Sequence, residues 1–223
     1  MEDYLNNLLS YLKSFENKRV DELLACFNIT SNSKAKNYIL SKTLVDSFEG
    51  KGIGFAKIEK CGINIKTIQL KENGNPKEAM SFSPINYCKI VNEEWKNSAF
   101  KKYLSNYFIF FVYKKNNDIN TLIKIIKWKV PDNDLNGEIK LVWEDTKKKI
   151  SEGTVIKEEK NGKIITWFLS EKVTNICHVR PHGSNGSDVS KLPVTDKATG
   201  YEHALKHSFW FNHSYIKNII DNS

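Results

Sequence analysis

The segment Gly62-Ile63-Asn64-Ile65-Lys66-Thr67-Ile68-Gln69-Leu70, followed by the turn Asn73-Gly74-Asn75-Pro76, constrains this chain most. Its polar and aliphatic residues alternate with the period of a half-buried strand. Side chains in a strand alternate faces, so Asn64 and Lys66 project together while Ile63 and Ile65 point the other way. The Asn-Gly turn predicts that the chain doubles back into a return strand through Met80 and Phe82. The longest apolar run, Tyr107 to Tyr113, predicts a core strand and is far too short to span a membrane. A further strand is expected from Leu122 to Val130.

Helical spacing organises much of the rest. Tyr4, Leu5, Leu8, Leu9, Leu12 and Phe15 predict a first amphipathic helix. Val20 to Phe27 predicts a short second helix, and Ala35 to Phe48 a third that ends at Gly50-Lys51-Gly52. Further helices are expected over Trp95 to Leu104, over Asp134 to Ser151 with Gly153 closing it, and over Phe211 to Ile220. Asn161-Gly162 centres a hairpin, and Asn175 to Arg180 is a strand. These elements predict an α/β fold, a mixed central sheet flanked by helices, in one domain over residues 1–223. Residues 1–32 form its helical N-terminal extension. With 40% hydrophobic and 12% aromatic residues the chain is globular. Its net charge of +8 suits either a solvated lysine surface or an electrostatic footprint for nucleic acid. The four dispersed cysteines and the acidic, amphipathic N-terminus point to a reduced cytoplasmic protein with no membrane partner.

The stretch Gly62 to Phe82 resembles the core of the MutH family, GATC-specific DNA nucleases of mismatch repair and restriction. The family's run is Gly, an aliphatic residue, Glu, an aliphatic residue, Lys-Thr-Ile, a Gly-x-Pro turn and a further Glu. This chain has Gly62, Ile63, Asn64, Ile65, Lys66-Thr67-Ile68, Gly74-Asn75-Pro76 and Glu78. Trp128, Pro131 and Trp143-Glu144 resemble the family's strand and long-helix region. Arg180-Pro181-His182 resembles its Arg-Pro-Lys DNA-contact element, and Phe209-Trp210-Phe211 the aromatic triplet before its last helix. The ordered match runs from Ser33 to Ile220. It implies the restriction-endonuclease-like fold, PD-(D/E)xK and MutH-like, and a degenerate active site.

A Mg²⁺-dependent nuclease needs a carboxylate two residues before a lysine, the acid holding the metal and the lysine serving the attacking water or scissile phosphate. Carried over residue by residue, the family's first acid falls on Lys42, its Asp on Lys57 and its Glu on Asn64; Lys66 alone is retained. Lysines in place of acids repel Mg²⁺ and attract phosphate. The resemblance therefore implies no catalytic residue, metal or cofactor here. It implies a domain like the degenerate second lobe of the family's two-lobed restriction endonucleases. Such a lobe would bind GATC duplex as an allosteric effector of a catalytic, Mg²⁺-using MutH-like lobe on the same polypeptide, with residues 1–32 as a connection to it.

The expected DNA contacts are Arg180, His182, Asn185, Trp210, Lys206, Lys66 and Lys34. Arginine can bond guanine bidentately, asparagine can bond adenine, and lysines hold phosphates. Read without the family, Arg180 could instead pair with a structural carboxylate and Trp210 could lie in the core. Two enzyme-free and enzyme alternatives also stand: a non-specific lysine-rich binder, or a nuclease using Glu59, Glu78 or Asp46 as migrated ligands, with Glu59 facing the wrong side of its strand. His203 and His207 stand four apart, a spacing for a zinc pair or a solvated face if helical. Cys177 and His178, as strand neighbours, point to opposite faces and cannot form a nucleophile–base pair.

Overall fold

A computed structural model describes residues 2–30, 33, 35–49, 53–160 and 163–223. The expected turns at Gly50-Lys51-Gly52 and Asn161-Gly162, and the candidate contact Lys34, lie outside the described residues. The chain runs α1 (Glu2–Lys13), β1 (Lys18–Arg19), α2 (Val20–Cys26), α3 (Lys36–Glu49), α4 (Ile53–Lys60), β2 (Asn64–Leu70), β3 (Met80–Pro84), α5 (Tyr87–Ile90), a 3-10 turn (Trp95–Asn97) and α6 (Ala99–Leu104). It continues with β4 (Tyr107–Asn116), β5 (Ile119–Lys129), α7 (Asp132–Asn136), α8 (Glu138–Glu152), β6 (Ile156–Lys160), β7 (Lys163–Thr166), β8 (Cys177–Pro181), β9 (Val189–Lys191), β10 (His203–Leu205), β11 (His207–Phe211) and α9 (His213–Asp221). No described helix is long and apolar enough to cross a membrane. The backbone forms two compact units: Met1–Glu78 with Tyr103–Val130 and Ile219–Ser223, and Ala79–Lys102 with Pro131–Asn218.

The first unit is built on a mixed sheet of order β1-β5-β4-β2, in which β2 runs parallel to β4 and the other pairs are antiparallel. Strand β4 is central, and Phe108 through Tyr113 are fully buried, so the apolar run is a strand covered on both faces. One face carries Ile109, Phe111 and Tyr113, which pack with Leu5, Leu8 and Leu12 of α1, Val20 and Leu23 of α2, Leu40 and Leu44 of α3 and Ile58 of α4. Burying each such side chain contributes about 1.5–3 kcal/mol. Helices α1 and α2 thus belong to this unit's own core. The other face carries Phe108 and Phe110, stacked at 5.6 Å, with Trp128 against both and Tyr103 against Phe108.

Three expectations about local structure are corrected. Glu59, read as lying on a strand, falls within helix α4, where Ile58 is drawn into the helix-covered core. Strand β3 is not the hairpin partner of β2: the turn closes through one bridge, Leu70–Pro76, ahead of β3, and β3 pairs with β11 in the second unit. The long helix is broken into α7 and α8 at Gly137, where a Cβ would meet the Asn133 carbonyl oxygen at 2.4 Å.

The second unit centres on the antiparallel sheet β3-β11-β8. Phe209 and Phe211 face one side, where Phe100 stacks on Phe209 at 4.3 Å and Phe82 meets Phe211 edge-on at 4.8 Å. Ser208 and Trp210 face the other, opposite Arg180 and His178 of β8. Helix α8 is tied to β8 through Glu138, whose Oε1 accepts backbone N–H bonds from Asn175 at 2.9 Å and Ile176 at 2.5 Å.

Asp196, 1% exposed, anchors this unit's loops. Its Oδ2 accepts the N–H groups of Val155 at 2.9 Å and Ile156 at 2.8 Å, and its Oδ1 those of Ala198 and Thr199 at 3.2 Å. Asp196→Ala leaves the buried Val155 and Ile156 donors unpaired, so it should cost about 2–4 kcal/mol in urea unfolding, and Asp196→Asn less.

Candidate nucleic-acid interface

The strand that carries the expected chemistry is entered through Gly62. Its φ of +70° is left-handed, and a Cβ there would lie 2.9 Å from the Asn106 Oδ1. The turn aims Asn64 and Lys66 at the face of β4 that holds Phe108 and Phe110, their register partners. The Asn64 Nδ2 donates to the Tyr103 carbonyl at 3.2 Å. Lys66 is partly buried with its Nζ 6.0 Å from the Tyr103 ring, and desolvation lowers its pKa from the ordinary lysine value.

Lys42 and Lys57 do not share that face. Lys42 is exposed on α3, and Lys57 is exposed on α4 with its Nζ 4.0 Å over the Tyr4 ring. Both helices supply core residues to the opposite side of the sheet. Of the alternative acids, Asp46 is on α3 and Glu78 is exposed in the loop before β3, whereas the Glu59 side chain lies outside the described residues.

In the second unit five of the expected contacts come together. The Arg180 Cζ lies 3.8 Å from the centre of the Trp210 ring, and the His182 ring meets the same indole at 4.9 Å. Trp210 does face away from Phe209 and Phe211, yet it is only 7% exposed. His182 Nδ1 is 2.7 Å from Ser208 Oγ, and its backbone N–H donates to the Lys206 carbonyl. Lys206 pairs with Asp188 at 2.5 Å, and Asn185 sits in the same loop, its Oδ1 accepting from Ser187 N–H at 2.9 Å. That leaves the Asn185 amide nitrogen on an exposed loop. Among the described residues no carboxylate lies within 4.0 Å of Arg180, which answers the structural-pair reading of that residue.

The histidine spacing does not make a zinc pair. His203 is on β10 and His207 on β11, not on one helix, because both residues are drawn into antiparallel pairings. His207 is fully buried, its Nδ1 2.8 Å from Tyr87 Oη and 2.7 Å from the Leu205 carbonyl, and burial pulls its pKa down to about 4. Cys177 and His178 alternate faces as expected; burial pushes the Cys177 thiol up, and desolvation lowers the His178 pKa. Among the described residues no three His, Cys, Asp or Glu side chains gather as a metal-holding group.

Residues 55–137 match the family model of the DNA mismatch repair enzyme MutH. That stretch contains the turn at Gly62 and, on β2, Asn64 and Lys66. The chain carries a MutH-like domain. It is 32% identical to the type II restriction enzyme Sau3AI of Staphylococcus aureus, in an alignment covering 92% of this chain and 48% of that protein. The chain thus spans about half the length of that relative. The restriction-endonuclease-like fold follows from the family and agrees with the mixed, helix-flanked sheet of the first unit. Asn64 and Lys66 together offer an amide whose nitrogen points to a carbonyl, beside a lysine; that donor set does not suit a hard divalent cation.

The partners Tyr103, Asn106, Ser208 and Asp188 were not singled out from sequence. Tyr103 lies 39 residues from Asn64, and no local spacing links them. Lys66 gives a test of the site's electrostatics. Its folded pKa is below its unfolded value, so the folded state carries the cost of a dehydrated charge at neutral pH. Stability should rise with pH between the folded pKa and the ordinary lysine value. Lys66→Met should therefore be the more stable protein in urea unfolding at pH 7, with the gap narrowing as pH approaches the lysine range.

Proposed function

We propose that this chain is the DNA-holding lobe of a type II restriction enzyme. It binds duplex DNA at GATC without cutting it and acts as effector for a catalytic MutH-like lobe that uses Mg²⁺, on the same polypeptide. Both units are taken as one lobe over residues 1–223, with α1 and α2 on the side of the connection, working in the bacterial cytoplasm. The observation that carries this reading is Asn64: an amide hydrogen-bonded to the Tyr103 carbonyl stands where a nuclease needs a carboxylate. The dehydrated Lys66 beside it suits a phosphate better than a metal. The net charge of +8 supports a polyanionic partner. Arg180, His182, Asn185 and Lys206 supply donors for bases and phosphates in one region of the second unit. Coupling between the two lobes is a free-energy link, so DNA held here would strengthen DNA binding or closure at the catalytic lobe and the reverse.

Labelled duplexes titrated at physiological salt test the site preference. A GATC duplex should bind at least roughly a thousandfold tighter than the same duplex with the site scrambled. Arg180→Ala should cost about 1–3 kcal/mol on the GATC duplex and relax specificity at one base pair. Equal affinity for both duplexes with a steep salt slope would contradict the reading and leave an electrostatic binder.

A further inference from the structure

Only two of the chain's 34 basic residues are arginine, Arg19 and Arg180. Arg19 is on the surface, paired with Asp21 at 2.6 Å and Glu22 at 3.8 Å. Lysine serves almost everywhere that positive charge is needed, so arginine at 180 marks a need for a planar fork of donors. The fork is not spent on a carboxylate among the described residues; its Cζ stands over the Trp210 ring, 3.8 Å from the ring centre. Trp210 itself is sealed. Its Nε1 is buried with no hydrogen-bond partner among the described residues, so the indole cannot offer that donor to a base edge without being unearthed. An orphaned buried donor is a cost that phenylalanine would avoid. What the larger indole gives in exchange is the strongest π face for a cation. His182 closes the ring's flank at 4.9 Å and is itself held by Ser208.

We propose that Trp210 is a positioning residue. Its buried ring holds the Arg180 guanidinium in one plane, so that Arg180 presents its N–H edge to one base pair instead of to any nearby phosphate. The inference rests on the site-specific reading above and adds how the specificity is set. A guanidinium fixed before binding loses little freedom on meeting a base, and bidentate bonding to guanine tolerates little tilt. Trp210 then acts on DNA through Arg180 and touches no base.

The test is a double-mutant cycle on the ratio of affinities for GATC and scrambled duplex, using wild type, Trp210→Leu, Trp210→Phe, Arg180→Ala and the Arg180→Ala/Trp210→Leu double variant. Thermal melts verify that each is folded. Trp210→Leu should lower the ratio about tenfold, the double variant should be no worse than Arg180→Ala, and Trp210→Phe should keep most of the ratio. A folded Trp210→Leu that keeps the wild-type ratio overturns the inference while leaving the site-specific reading intact. Losses that multiply in the double variant overturn it as well. Equal affinities in the wild type overturn the site-specific reading, and this inference falls with it. A second readout needs no tryptophan variant. The two arginine Nε–H resonances of the free wild-type chain are assigned with Arg180→Ala; the Arg180 signal should be shifted upfield by the indole ring current, and an unshifted signal contradicts the stack.

Discussion

A strand buried on both faces must be covered twice, and β4 imposes that demand on the first unit. Helices α1 to α4 take one face, and the cluster of Phe108, Phe110, Trp128 and Tyr103 takes the other. Strand β2 lies in parallel register beside β4, so its own alternation is forced into the same two environments. Ile65 joins the helix-covered core. Asn64 and Lys66 are left beside Phe108 and Phe110, where polar groups meet little water. Each then needs a local answer. Asn64 finds the Tyr103 carbonyl, and Lys66 sits with a depressed pKa.

The chemistry of the proposed lobe follows from those two answers. Two carboxylates and a lysine balance a divalent cation. An amide and a lysine balance nothing of that charge, but a lysine held short of water gains when a phosphate approaches. In the second unit the same logic of alternation separates an apolar face, Phe209 and Phe211 against Phe82 and Phe100, from a polar one. On the polar face the indole of Trp210 is a floor for Arg180. Both regions use the period of a strand to set polar side chains on one row while the other row builds the apolar core.

Period-2 and period-3.6 patterning made most of the elements legible in the sequence, including the core strand at Tyr107 to Tyr113, helices α1 to α3 and the closure of α8 at Gly153. The helix at residues 53–60 was missed because eight residues with one buried aliphatic at Ile58 carry too short a period to separate from strand. The partner of β3 was missed because the Asn-Gly turn signals a reversal, not what pairs after it; β11 is more than a hundred residues further on. At the site, alternation correctly put Asn64 with Lys66 and Trp210 apart from its aromatic neighbours. It could not tell that Lys57 would ride on a helix, that α3 and α4 would cover the opposite face of the sheet, or that Trp210 would be roofed by Arg180. Those are long-range packing facts. The histidine spacing misled for a related reason: four residues apart means one face only in a helix, and His203 and His207 belong to two different strands.

The claim that Asn64 marks a strand built to hold DNA and not to cut it is tested most directly by single-turnover incubation. The chain, in excess over an end-labelled GATC duplex so that the DNA is fully bound, is incubated with Mg²⁺ and in parallel with Mn²⁺, and the strands are resolved on a denaturing gel. Full occupancy with both strands intact is the expected result. Nicks or breaks at the site, abolished by Lys66→Ala or Glu78→Ala, would contradict it and mean that the metal ligands have moved.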